Sequence, residues 1–347
     1  MLTFYNEHHA QHRGRFEMFR GELVPCFEKP ERAELVLAEL GRRGLGRIVT
    51  PHGVSLASLE RIHTPRYLHF LRSAWSEWLA LDPDNAGKDA FPAVWPVRGL
   101  RADVEPDNFC ARLGLYSMDS GTPLTAGTWI AAKTGADCAV NAAHALRLGE
   151  RGTFALTRPP GHHAGADYYG GYCFLNNAAL AAQHLLDDGA RRVAILDLDY
   201  HHGNGTQSIF YGRSDVLFIS IHGDPRTEYP FYLGHADETG SGEGLGYNMN
   251  LPLAAGSTPG QWFAALETAC LRLASFGADA LVVSLGVDTY AGDPISHFSL
   301  ASADFLRMGE RIAWLGMPTA FVFEGGYAVA EVGVNVVNVL EGFETAA

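Results

Sequence analysis

The sequence predicts an α/β fold, a single domain with a central parallel sheet flanked by helices. Three observations carry this. Five short β-branched runs, TFALTR (153–158), RVAILDLD (192–199), DVLFISIHG (215–223), ALVVSLGVD (280–288) and TAFVFEGG (319–326), are almost continuously apolar. Strands buried on both faces read this way, whereas half-exposed strands alternate. Between and before them lie Ala- and Leu-rich stretches at 127–150, 176–189, 259–277 and 301–316, with Gly189, Gly277 and Gly316 where helix C-caps belong. Strands that alternate with helices build a parallel sheet covered on both sides.

The chain of 347 residues is 47% hydrophobic and carries no repeat, which supplies a large core and argues against a solenoid. We read 1–347 as one catalytic domain with a long irregular insertion at about 81–125. That segment is rich in Pro, Gly and Asp, and its Phe91, Trp95 and Phe109 favour an ordered, packed loop. A formal net charge of −13 disfavours nucleic acid and agrees with a cationic ligand, although acidity for solubility is the commoner reason for such a charge. The five cysteines are scattered without a CxxC pair, so neither a disulfide framework nor a cysteine metal site is expected. The start, MLTFYNEHHAQHRGR, has no apolar leader, and no run is long enough to span a membrane. A cytoplasmic protein is the expectation. The Glu7-His8-His9 stretch is expected at the surface.

In open α/β sheets, ligands bind at the carboxyl ends of strands. Each run above leads directly into groups that carry chemistry: RPPGHHAG after 153–158, DYHHGNG after 192–199, VDTYAGDP after 280–288 and EGGYA after 319–324. Four strand ends could therefore meet at one site. Asp199 and His201 are two apart and share a side of an extended chain. With Asp288 they offer an Asp/His/Asp set suited to zinc or another first-row divalent ion. Asp197, one step deeper, could orient a ligand or bind a separate ion; it and His202 could equally be buried structural residues. Adjacent His162 and His163 offer a general base and a charged partner of different pKa. Tyr327, after two glycines, could donate to a developing oxyanion. Together these groups describe metal-assisted hydrolysis of a carbonyl compound. No GxSxG elbow and no P-loop occurs, so serine hydrolysis and nucleotide hydrolysis have no support.

RPPGHHAG, LDLDYHHGNGTQ, SLGVDTYAGDP and EGGY, in this order and spacing, resemble the histone deacetylase superfamily, and GELVPCFEKPERAELVLAEL (21–40) and IHTPRYLHFL (62–71) extend the likeness over nearly the whole chain. Within the superfamily, GGYCFLNNAA (170–179), HHGNGTQ and HGDPRTEYPFYLGHADETG (222–240) look most like the bacterial acetylpolyamine amidohydrolases. The resemblance implies an arginase-deacetylase fold with a parallel sheet of eight strands. It implies one Zn2+ per chain on Asp199, His201 and Asp288, and a structural K+ near Asp197, Asp199, His201, Ser220 and the backbone of Ile221. It makes His163 the base and then the acid, His162 its electrostatic partner oriented by Asp197, and Tyr327 the oxyanion donor. Tyr172, Tyr229 and Ile295 would wall a narrow tunnel. The family's acidic residues for a distant ammonium group would fall at Glu105 and, since the second position is Gly121 here, at nearby Asp119. The 81–125 loop would shape a homodimer whose partner narrows the mouth. Many eukaryotic relatives have Asp where this chain has Asn204, and an uncharged partner raises the pKa of His163 less.

The resemblance thus implies deacetylation of a small cationic acetylamine, such as acetylputrescine, acetylcadaverine or acetylspermidine. The alternative within the superfamily is a protein acetyl-lysine deacetylase. A non-catalytic scaffold on the same fold remains open, although every motif residue is present. A two-metal manganese ureohydrolase needs more aspartates than the DxDxHH pattern offers.

Overall fold

A computed structural model describes residues 1–346. In chain order the strands are β1 (Leu2–Tyr5), β2 (Phe16–Phe19), β3 (Glu22–Pro25), β4 (Arg47–Val49), β5 (Gly152–Leu156), β6 (Val193–Asp197), β7 (Val216–Gly223), β8 (Asn248–Leu253), β9 (Ala280–Leu285) and β10 (Thr319–Phe323). The helices are α1 (Glu31–Arg43), α2 (Leu56–Leu59), α3 (Pro65–Leu81), α4 (Phe109–Leu115), α5 (Thr128–Arg147), α6 (Asn177–Asp187), α7 (Asn204–Phe210), α8 (Pro259–Phe276), α9 (Ser302–Ala313) and α10 (Val332–Thr345). Eight strands form one sheet in the order β4-β1-β5-β10-β9-β6-β7-β8, with every neighbouring pair parallel. β2 and β3 make a separate antiparallel hairpin. The α/β class with an eight-stranded parallel sheet is therefore observed.

The continuous apolar runs are explained by two cores, one on each face of the sheet. On β6, Val193 and Ile195 enter the core built with α3, α5 and α6, while Ala194 and Leu196 enter the core built with α1, α8, α9 and α10. Each side chain of the strand is buried, so alternation has nothing to record. Helix starts follow ordinary capping chemistry. The Thr258 hydroxyl accepts from the Gln261 amide, and the Thr258 N–H donates to the Gln261 side-chain oxygen in return, with Pro259 in the first turn. Thr64 caps α3 ahead of Pro65 by accepting from the Tyr67 amide.

The predicted helices correspond to α5, α6, α8 and α9, and the predicted strands to β5, β6, β7, β9 and β10. β1, β4 and β8 carry weaker signals. β1 is four residues at the chain start, β4 is three residues on an edge, and β8 reads NMNLPL, with a proline that only an edge strand tolerates. β1 corrects one expectation. It inserts the N-terminus beside β5, and the turn that follows buries His9, which pairs with the Tyr5 hydroxyl at 3.0 Å, while Glu7 and His8 stay exposed. The 81–125 segment is not wholly irregular: it holds α4, whose Phe109 packs on Phe70 and Trp78. No helix among the described residues is long and apolar enough to cross a membrane.

A buried ionic network ties the N-terminal segment to the sheet. Glu28 accepts from Arg32 at 3.0 Å and from Arg158 at 2.9 Å, and all three side chains are almost fully buried. The two cations overcome the burial cost of the Glu28 charge and hold its carboxyl below the usual range. Glu28→Ala leaves two buried guanidinium groups without their shared anion. It should lower unfolding stability by about 3–5 kcal/mol, read by chemical denaturation; a loss within 1 kcal/mol would show that water or other groups satisfy them.

Candidate active site and metal centre

The sheet order sets the site. The four strands whose ends carry the motifs, β5, β10, β9 and β6, are consecutive in the middle of the sheet. Their carboxyl ends bring together the tandem histidines, the EGGY turn, Asp288 and the Asp197–His201 segment, as expected from the sequence.

His201 Nδ1 lies 3.0 Å from Asp288 Oδ2 and 3.4 Å from Asp199 Oδ1. One ligating atom from each of the three residues lies within 4.8 Å of the others. Both carboxylates are essentially inaccessible to solvent. Burial opposes the charge of Asp199, but His162 and His201 hold it below the usual range. Burial, with Asp199 alongside, pushes Asp288 up. Burial also opposes a proton on His201, yet the two carboxylates push it up to about 10. Two buried carboxylates converging on one imidazole call for a cation, and a divalent ion would replace that proton. The donor set of oxygens and one imidazole nitrogen fits zinc or a similar first-row ion. The outer oxygens are already held: Gly325 N donates to Asp199 at 2.7 Å and Tyr200 N to Asp288 at 2.7 Å. A Cβ on Gly325 would stand 2.5 Å from Asp199 Oδ2, so only glycine lets the EGGY turn approach this closely.

The tandem histidines are poised differently. His162 Nδ1 lies 3.0 Å from Asp197 Oδ2, and His163 Nδ1 lies 2.6 Å from Asn204 Oδ1 at the start of α7. Burial works against charge on both. Asp197 and Asp199 overcome it at His162, which is pushed up to about 10. At His163, burial and the neighbouring His162 and His201 push the pKa well down. His162 is therefore the charged imidazolium and His163 the neutral imidazole. Because an amide oxygen can only accept, Asn204 assigns the His163 hydrogen to Nδ1 and leaves Nε2 with its lone pair.

The loop bearing these histidines is locked from two sides. Glu324 accepts from Gly161 N at 2.6 Å and His162 N at 3.2 Å. Asn176 caps α6 through its oxygen and donates to Ala164 O at 2.9 Å. Tyr327 is fixed by Asp293, which accepts from its amide at 2.6 Å, and by the Arg32 guanidinium 4.6 Å from its ring centroid. Burial holds its phenol protonated.

These groups open into a cavity of about 420 Å³, lined by His163, His201, Tyr172, Tyr229, Ile295 and Tyr327 together with Asp119 and Gly121. Each wall tyrosine is held by a carboxylate. The Tyr172 hydroxyl donates to Glu17 at 2.8 Å, and the Tyr229 hydroxyl to Asp119 at 2.7 Å. Asp119 also accepts from Gly171 N at 2.6 Å and Gly121 N at 2.9 Å. A Cβ on Gly171, which has φ +53°, would stand 2.2 Å from the His163 ring, so that glycine seats Tyr172 against the base. Asp197 and Ser220 are register partners on β6 and β7, next to Ile221. Ser220 Oγ lies 2.7 Å from His222 Nδ1. His202, left open between structure and function, is buried against Gln207 at 3.0 Å and lies off the cavity.

Glu105 does not line this cavity. Its carboxylate accepts from Tyr116 at 2.7 Å and faces Arg112 at 3.7 Å, because α4 draws the end of the insertion onto α3. Glu17, Glu324, Asn176 and Asp293 escaped sequence reasoning. Glu17 had one available signal. In FEMF the inward positions of β2 are Glu17 and Phe19, and a charge facing inward on a short strand needs a reason.

The comparisons agree with this geometry. The model of the histone deacetylase domain matches residues 26–343. Acetylpolyamine amidohydrolase 2 of Pseudomonas aeruginosa is 56% identical over 344 residues, covering 99% of both chains. Acetylpolyamine amidohydrolase of Mycoplana ramosa is 46% identical over 342 residues, again 99% of both. The crystal structure of acetylpolyamine aminohydrolase from Burkholderia pseudomallei superposes with a TM-score of 0.94 at 40% identity, covering 100% of this chain and 99% of that one. The chain belongs to the histone deacetylase family, as a metal-dependent hydrolase of the deacetylase class.

Proposed function

We propose that this protein is a zinc amidohydrolase that removes the acetyl group from small cationic acetylamines, the acetylpolyamines and acetyldiamines, releasing acetate and the free amine. The observation that carries the substrate class is Glu17, a buried carboxylate on the cavity wall next to Tyr172. An aliphatic chain running past the two tyrosines would bring a terminal ammonium to it. The names of the similar amidohydrolases point the same way.

Asp199, His201 and Asp288 would hold the zinc. When bound there, the ion supplies Lewis acidity, polarising the amide carbonyl and acidifying a water. His163 Nε2 takes the proton from the attacking water and returns it to the departing amine. His162, protonated against Asp197, adds a fixed positive field beside the developing charge. The Tyr327 phenol donates to the oxyanion. Asp197 and Ser220, adjacent in register, would share a K+ with the neighbouring backbone at Ile221. We assign the protein to the cytoplasm as a homodimer. Val94, Val97, Leu100 and Val104 on the insertion, with nearby Phe231 and Tyr232, are exposed apolar surface suited to a second copy. Glu105 would then serve the mouth of that pair and not its own chain's cavity.

Steady-state turnover of N-acetylputrescine, N-acetylcadaverine, N8-acetylspermidine and an acetyl-lysine peptide tests the assignment. The acetylamines should show the higher kcat/KM, and a peptide preference would select the protein-deacetylase alternative. Tyr327→Phe should keep its zinc and lose about 10²–10³-fold in kcat; an unchanged kcat would remove the phenol from the reaction. Burial pushes Glu17 up to about 7 against the pull of Tyr172 and the Phe27 amide. Below that pH the side chain is neutral and binds an ammonium poorly. KM for N-acetylputrescine should therefore fall as pH rises through about 7. N-acetylbutylamine, which lacks the ammonium, and the Glu17→Gln variant should not show this fall. Identical profiles for all three would exclude Glu17 from substrate binding.

A further inference from the structure

α5 and α6 pack against each other on one face of the sheet, and their last turns bring a second set of ligating atoms together. His184 and Asp188, four residues apart, share one face at the end of α6, and His144 meets them from α5. His144 Nδ1 lies 3.1 Å from Asp188 Oδ2, His184 Nε2 lies 3.3 Å from the same oxygen, and the two nitrogens are 3.4 Å apart. Ligands at about 2.1 Å from a tetrahedral ion stand about 3.4 Å from one another. The catalytic set has the same spacing, 3.0 and 3.4 Å from His201 to its two carboxylates.

We propose that His144, His184 and Asp188 form a second, solvent-facing site for a first-row divalent cation such as Zn2+, completed by water and separate from the catalytic centre. Two imidazoles and a carboxylate are the right donor chemistry for that class of ion. One cation at their centre would satisfy all three atoms together. The site is open to its ion, since the side chains of His144, Asp188 and His184 are 51%, 34% and 24% exposed. The carboxyl ends of both helices point at it, and their partial negative charge favours a cation. The nearby Arg147 is engaged with the Asp188 carbonyl at 2.9 Å.

Asp188 stands twelve residues along the helix from Asn176 at the catalytic loop, about 18 Å at 1.5 Å per residue. An ion there would not touch substrate. It would clip together the ends of the helices that lead into β5 and β6, the strands carrying the tandem histidines and the Asp197–His201 segment.

The test uses the zinc-loaded enzyme freed of loose metal. It is titrated with ZnCl2 by calorimetry, with metal content and thermal midpoint read on the same samples. Wild type should take up one further equivalent and gain thermal stability. His144→Ala and Asp188→Asn, each altering an exposed end of a helix, should take up none, lose the zinc-dependent rise in midpoint and keep the wild-type kcat. Equal uptake by wild type and both variants, or no uptake by wild type, would overturn the proposal. Because zinc uptake is read directly, neither result depends on which acetylamine the enzyme turns over.

Discussion

Everything in this molecule answers to one electrostatic constraint: Asp199 and Asp288 are buried side by side. Two carboxylates withdrawn from water within a few ångströms of each other are unfavourable unless a positive charge sits between them. His201 meets that need with a proton, and a divalent ion would meet it better. The four central strands supply the rest, since a parallel sheet collects at its carboxyl edge side chains distant in sequence. The glycines at 171, 286 and 325 exist on the same terms, because a Cβ at any of them would run into His163 or Asp199.

A second theme is the use of carboxylates, three of them buried and Asp119 half-buried, as fasteners. Glu324 holds the tandem-histidine loop, Asp293 holds Tyr327, Asp119 holds Tyr229 together with the Gly171 turn, and Glu17 holds Tyr172. Each accepts hydrogen bonds from segments far away in the chain. The wall of the cavity is therefore fixed before substrate arrives, which lowers the reorganisation left to the reaction. A fastener placed in the wall can also act on a ligand. Glu17 is positioned to do both, which makes the cavity sensitive to charge without loosening its shape.

The sequence showed much of this because burial on both faces leaves an unmistakable mark. β5, β6, β7, β9 and β10 are almost continuously apolar and lead into polar motifs, so strands and reactive residues could be read together. What it hid follows from weaker physics. β8 is an edge strand with Asn and Pro, and β1 has only four residues, so neither has a distinctive pattern. Glu17 and Asp293 do their work through long-range hydrogen bonds, which no local spacing encodes. Glu105 matched a family position, but α4 and Tyr116 claim its carboxylate. His144, His184 and Asp188 were passed over because two of them belong to one helix and the third to another. Only the packing of α5 on α6 brings them within reach of one ion.

The central claim is that the convergence of strand ends serves a divalent ion at Asp199, His201 and Asp288. Anomalous diffraction from a crystal of the enzyme, collected on both sides of the zinc absorption edge, tests it most directly. The account predicts a strong anomalous peak about 2.1 Å from one atom of each of those three side chains. A fully occupied crystal with no peak there, or with its strongest peak elsewhere, would contradict it.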